Sequence, residues 1–253
     1  MKNFLFIILF LLCITIFADT LGPTSEMYVV KWQNAGIAVI QGSNIVRSWS
    51  TGANGEIAIA VTSDRVRTIG HTTSYIGAEY TLQGTFTGTQ YTTLHTYHHD
   101  GTSDGQYNYG IVWNTGNVYR YGLNWQNPEY LFNAGSNALG ITYDTSNNSL
   151  WVSSWGYGTV SNFSMTGSLL SSFTARTASN SALAMDYADG TLWMSESASG
   201  TFSQYTKAGT YLGSKTYAVT NMWGAEFSVA VPEPSTGILV SLILALAAFL
   251  KKK

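Results

Sequence analysis

Short runs of alternating apolar and polar residues fill most of this chain, and the runs return in a fixed order. "NALGITYDTSNNSLWVSSWGYGTVSNFSMTGSLLSSF" spans Asn137 to Phe173, and "SALAMDYADGTLWMSESASGTFSQYTKAGTYLGS" spans Ser181 to Ser214. Leu150/Leu192, Trp151/Trp193, Gly158/Gly200, Thr159/Thr201, Phe163/Tyr205, Gly167/Gly209 and Leu170/Leu212 all stand 42 residues apart. Within a unit, "LGITY" alternates, "LWVSS" follows a turn built on Asn or Asp-Gly, "TVSNFS" comes third, and "SLLSSF" follows a Thr-Gly turn. Alternation over such short runs, bounded by turn residues, predicts four strands per unit. A two-residue deletion in the first turn of the second copy aligns Ala138 with Ala182 and separates Asp144 from Asp186. "NMWGAEFS" (Asn221 to Ser228) lies 84 residues after "NALGITYD" and begins a third copy.

Upstream the repeat decays. "YGIVWNTGNVYRYGLNWQNPEYLF" (Tyr109 to Phe132) reads as a shortened copy with Gly110 in the place of Gly140, and Glu56 to Phe86 reads as another. Met27 to Ser50 supplies the strands missing after Val231, so the ends of the chain are expected to pair and close a ring. The 205 residues from Met27 to Val231 hold close to five periods of 42. The fold expected is all-β: a single β-propeller of about five four-stranded blades over 27–231, with a lectin-type β-sandwich as the alternative. Each blade buries its faces against its neighbours, which makes Trp151 and Trp193 packing residues.

Composition sharpens this reading. Only 10% of residues are charged, while 25 are Gly and 14% are aromatic, as short strands and tight turns require. The single cysteine is Cys13, so the body offers neither a disulfide nor a Cys-based zinc site. The ends of the chain differ from its middle. Lys2 followed by the apolar run Phe4 to Phe17 and a small residue at Ala18 reads as a signal peptide, 1–18, for signal peptidase. At the other end, Gly237 to Leu250 is an apolar run of 14 residues, followed by Lys251, Lys252 and Lys253. As a helix it spans roughly 21 Å, against the ~30 Å of a bilayer core. The lysines favour a cytoplasmic end. Before it stand Val231, Pro232, Glu233, Pro234 and Ser235, a stiff extended strip.

Pro-Glu-Pro, a short apolar helix and a basic end together resemble the PEP-CTERM sorting signal of Gram-negative bacteria, here 231–253. The resemblance implies processing by exosortase, a transient membrane attachment through the C-terminal segment, and delivery from an inner-membrane intermediate to the cell surface or beyond. Such proteins often occur with exopolysaccharide, so a polysaccharide partner is expected. Without residues 1–18 and 235–253 the body keeps 8 basic and 14 acidic residues, a net of −6, which argues against nucleic acid.

The order Gly-Ile-x-Tyr-Asp, Leu-Trp-Val, Gly-x-[Val/Phe] and Gly-x-Leu resembles NHL/SMP-30-like propeller repeats over two units. The resemblance implies a possible secreted hydrolase or lactonase with acids converging in the funnel, one of them after the second strand. Glu196 takes that place in one unit and Ser154 in the other. Glu79, Asp144, Asp186 and Glu226 read as turn and strand-end residues. "HTYHHDGTSDG" gathers His95, His98, His99, Asp100 and Asp104, candidate metal ligands, although His98 and His99 would face opposite sides of a strand. The alternative is a solvated loop between blades. Asp100, Thr102, Asp104 and Gly105 echo a calcium loop whose twelfth position is Ile111 rather than Glu. Trp125, Trp155, Tyr157 and Glu196 are candidates for ligand contact, and the three aromatics read equally as blade-packing residues. No catalytic constellation and no cofactor are expected, and the leading reading is a non-catalytic, exported propeller that binds.

Overall fold

The computed structural model describes residues 21–32, 36–51, 55–72, 76–92 and 94–229. The expected signal segment, the Pro-Glu-Pro motif (Val231 to Ser235), the apolar tail and Lys251 to Lys253 lie outside these. Among the described residues, no helix is long and apolar enough to cross a membrane.

Among the described residues, twenty strands form five four-stranded antiparallel sheets. Blade 1 takes β1 (Met27–Lys31), β2 (Gly36–Gln41) and β3 (Asn44–Ser50) from the start of the chain. Blade 2 is β4 (Glu56–Val61), β5 (Arg65–Gly70), β6 (Ile76–Thr81) and β7 (Phe86–Thr92). Blade 3 is β8 (His98–Ser103), β9 (Asn108–Val112), β10 (Asn117–Tyr121) and β11 (Glu129–Asn133). Blade 4 is β12 (Ala138–Asp144), β13 (Ser149–Ser154), β14 (Thr159–Ser164) and β15 (Leu169–Thr174). Blade 5 is β16 (Asn180–Asp186), β17 (Thr191–Glu196), β18 (Thr201–Tyr205) and β19 (Tyr211–Thr216). The last strand, β20 (Met222–Phe227), returns to blade 1 as its innermost strand and pairs with β1, Met27 opposite Phe227. The ring closes by this pairing, as the sequence led us to expect, and the molecule is a five-bladed propeller.

Five apolar clusters hold the blades together, one at each junction. Trp193 packs among Met27, Val29 and Phe227 between blades 5 and 1, and Trp151 among Leu183, Met185 and Leu192 between blades 4 and 5. Both indoles are buried.

The register differs from the sequence reading in three places. β12 and β16 have equal lengths and equal turns, so Ala138 corresponds to Asn180 and Asp144 to Asp186, with no deletion. Both aspartates cap the same turn, accepting the amide of the residue two further on, Ser146 or Ala188, at 3.0 Å. Tyr109 to Phe132 supplies only the three outer strands of blade 3, and its inner strand is the histidine-rich stretch. Gly110 therefore lies on β9, and Asp100 stands where Gly140 does. That stretch is no solvated loop: every residue of β8 is buried.

Blade 3 also departs from its neighbours by folding the segment 122–127 back against its own face. Trp125 fills the slot left by Gly101 and Gly110, where a Cβ would approach its ring to 2.8 and 3.4 Å. Trp125 is completely buried beside Tyr121, Ala58 and Ile69. Of the two roles the sequence leaves open for it, the structure places Trp125 in packing between blades.

Candidate functional site

Every inner strand carries one extra residue in its first turn, seen as a register shift between Met222 and Gly224, Glu56 and Ala58, His98 and Gly101, Ala138 and Gly140, and Asn180 and Leu183. Such a bulge re-aims a side chain. The corresponding residues are Trp223, Ile57, His99, Leu139 and Ser181. Just before the inner strands, Gly55, Tyr97, Asn137 and Asn221 have positive φ, an easy conformation for Gly and Asn but a costly one for Tyr97. The carbonyls of this position hold the residue that follows each second strand. Trp32 donates its amide to Asn221, His71 to Gly55, Trp113 to Tyr97, Trp155 to Asn137 and Ser197 to Ser179, at 2.8–3.0 Å.

Two rings of side chains thus surround the mouth of the propeller axis. Trp32, His71, Tyr97, His99, Trp113, Leu139, Trp155 and Trp223 line a cavity of about 240 Å³. Trp155 stacks on Trp223 (5.4 Å between centroids, 23° between planes), and Trp223 meets Trp32 edge-on at 5.5 Å. His99 sits among them, 4.6 Å from His71, 5.1 Å from Trp223 and 5.4 Å from Trp113. Blade 5 contributes only serines at both levels, so the aromatic wall is open on that side.

The funnel is apolar but has polar atoms to satisfy. Neither nitrogen of His99, which is 4% exposed, has a hydrogen-bond partner among the described residues, nor does Trp113 Nε1. Burial, with His71 and His98 adding to it, pushes the His99 imidazole down to about 3. His71 is also lowered by burial, offset in part by its bond to the His98 carbonyl. That bond (3.1 Å) requires the proton on Nδ1, which leaves Nε2 as an acceptor. Both rings are neutral near pH 7. Among the described residues, no carboxylate lines the cavity.

Below the funnel the axis is plugged. Asp100 Oδ1 accepts the amides of Gly101 (2.9 Å) and Ala225 (3.1 Å), and Oδ2 those of Leu183 (3.0 Å) and Ile141 (3.2 Å). The other four blades place Ala58, Gly140, Ala182 and Gly224 at this level and so make room for the one carboxyl group. A Cβ on Gly224 would come within 3.0 Å of Asp100 Oδ1. One level lower, Glu226 accepts from Thr142 Oγ1 (3.3 Å) and the Phe227 amide (2.9 Å), facing Ala60 and Ala184. Burial pushes both carboxyl groups up, and the donors around them pull back. Glu226 stands next to last on β20, as a strand-end residue, and there its side chain lies on the axis.

The five candidate metal ligands do not converge, and no group of three or more such side chains does so among the described residues. His98 is fully buried: its Nδ1 donates to the His95 carbonyl (3.2 Å) and its Nε2 accepts from the Tyr121 hydroxyl (2.8 Å), which in turn accepts from His95 Nδ1 (2.9 Å). Asp104 caps a turn at the opposite end of β8, accepting from the amides of Gln106 and Tyr107 and the Tyr109 hydroxyl. Among the ligand candidates, Trp155 lines the funnel. Tyr157 is exposed on a turn outside it, and Glu196 ends β17 and accepts from Ser203 Oγ. Glu79 lies on β6, bound by Arg67 and Tyr91 at 2.9 Å each.

No family model matches the chain, and no curated protein matches it. Solved structures do. The nidogen/laminin complex contains a chain with a TM-score of 0.58 and 10% identity, covering 81% of this chain and 98% of that one. Glutaminyl cyclase of Myxococcus xanthus gives 0.52 and 12%, covering 83% and 86%, and a functionally unknown protein from Desulfotomaculum acetoxidans gives 0.51 and 13%, covering 82% and 86%. These likenesses concern the propeller fold alone.

Proposed function

We propose that this chain is an exported, non-catalytic propeller that binds a neutral saccharide in its aromatic funnel. The observation that carries the reading is the ring of four indoles around a small cavity that also holds unpartnered donors and acceptors. Indole faces stack on the apolar faces of a sugar ring. Its hydroxyls, which both donate and accept, match His99, His71 Nε2 and Trp113 Nε1–H. Two neutral imidazoles with no carboxylate beside them among the described residues favour binding over hydrolysis.

Delivery is proposed from the sequence: a signal peptide at 1–18 and a PEP-CTERM tail at 231–253, processed by exosortase, which would bring the propeller to an exopolysaccharide outside the cell. The test is an array of immobilised bacterial exopolysaccharides probed with the wild type and with Trp113→Ala and Trp155→Ala. Retention of a neutral polysaccharide by the wild type, reduced at least about tenfold in either variant, is expected. Equal retention by all three would overturn the assignment of the funnel. Turnover of a glycan or lactone panel would favour the hydrolase instead.

A further inference from the structure

Resting on the saccharide reading, we infer that the funnel takes the end of a neutral glycan chain, one sugar unit deep. The cavity is blind. Directly beneath it Asp100 and then Glu226 occupy the axis, and both are 0% exposed, so nothing threads through. It is also small: about 240 Å³, below the roughly 300–1,000 Å³ of pockets that hold drug-sized ligands.

The aromatic rings stand around the cavity rather than in a row. Trp155 and Trp223 are stacked, whereas Trp32 meets Trp223 at 89°. An internal segment of a polysaccharide needs a groove open at both ends, with platforms side by side. A pit walled on four blades admits one ring with its free hydroxyls, and the chain leaves upward. The entering unit is neutral because, among the described residues, no cationic side chain lines the pit and the histidines, held uncharged by burial, cannot pair with an anion.

The experiment is a titration of tryptophan fluorescence in the full chain. Methyl glycosides of glucose, galactose, mannose, rhamnose and N-acetylglucosamine come first, with methyl glucuronide as the anionic comparison. For the glycoside that binds, trisaccharides follow that carry the same sugar at an end or only in the middle. End-bearing trisaccharides are expected within about threefold of the glycoside, and the internal one at least about thirtyfold weaker. Methyl glucuronide is expected at least about tenfold weaker than methyl glucoside should glucose be the sugar held. An internal trisaccharide that binds as tightly as the end-bearing ones overturns end recognition and leaves saccharide binding standing. Glucuronide binding as tightly as glucoside overturns the neutral class. No response to any glycoside overturns both the saccharide reading and the inference drawn from it.

Discussion

At the level of the funnel floor the inner strands contribute Ile57, His99, Leu139, Ser181 and Trp223; one residue further along they contribute Ala58, Asp100, Gly140, Ala182 and Gly224. Both levels lie on the axis, and both bury a polar side chain from blade 3. At the lower one each oxygen of Asp100 has two amide donors. At the upper one His99 has none, although it is nearly as buried. A buried polar group whose valences are filled by the protein stabilises the fold. A buried polar group left open beside a cavity costs stability, and such a cost persists where something else benefits from the opening. The contrast separates what holds the ring together from what the ring holds.

Substitutions can break that separation. Asp100→Leu orphans four amides on the axis and should lower unfolding stability in denaturant titrations by about 3–5 kcal/mol, or prevent folding. Asp100→Asn, which still accepts at one atom, should lose less. Glu226→Gln removes one acceptor and should lower stability by about 1–3 kcal/mol with ligand affinity unchanged. A drop in affinity without a drop in stability for either axial variant would merge the two levels into one site.

His99→Phe should act in the opposite sense, raising stability by about 1 kcal/mol while weakening binding, since it replaces two unpaired nitrogens with carbon. The same variant tests titration. His99 is depressed to about 3 in the fold from an ordinary 6.5, so on acidification the unfolded chain takes up the proton first. The cost of keeping this ring unprotonated in the fold is absent above the ordinary value and grows as the pH falls toward the folded one, by up to about 1.4 kcal/mol per pH unit. Stability measured between those limits should therefore fall less steeply in His99→Phe than in the wild type. The smallest effect on folding belongs to Trp155→Ala. Its indole stands partly exposed at the rim, so stability should change by less than about 1 kcal/mol while affinity falls at least about tenfold.

Much of this architecture is legible in the sequence. Blades 4 and 5 keep the 42-residue period with the same Leu-Trp pair, and the closing strand repeats the Asn-x-x-Gly of Asn137 to Gly140. The register of β16 is not so easily read, because matching Tyr143 to Tyr187 requires a gap that the backbone does not make. The aspartates that cap the turns are the true landmarks. Blade 3 hides its inner strand because His99 and Asp100 stand where apolar or small residues stand elsewhere. The funnel itself leaves a trace: His71, Trp113, Trp155 and Ser197 recur every 42 residues, each just after a second strand. The bulge that turns Trp223 and His99 into the same cavity leaves none, because it is a property of pairing between strands. Trp125 and Trp155 look equally available in the sequence. Two glycines on neighbouring strands, Gly101 and Gly110, decide that one is wedged inside and the other lines the cavity.

The pairing of β1 with β20 also fixes which way the molecule faces. Inner strands begin at the funnel and end at the opposite rim, and Met27 lies across from Phe227 at that far rim. The chain therefore enters and leaves the ring side by side on the underside. Both terminal strands thus meet the rest of the chain on the face opposite the funnel, and the mouth is left clear of them.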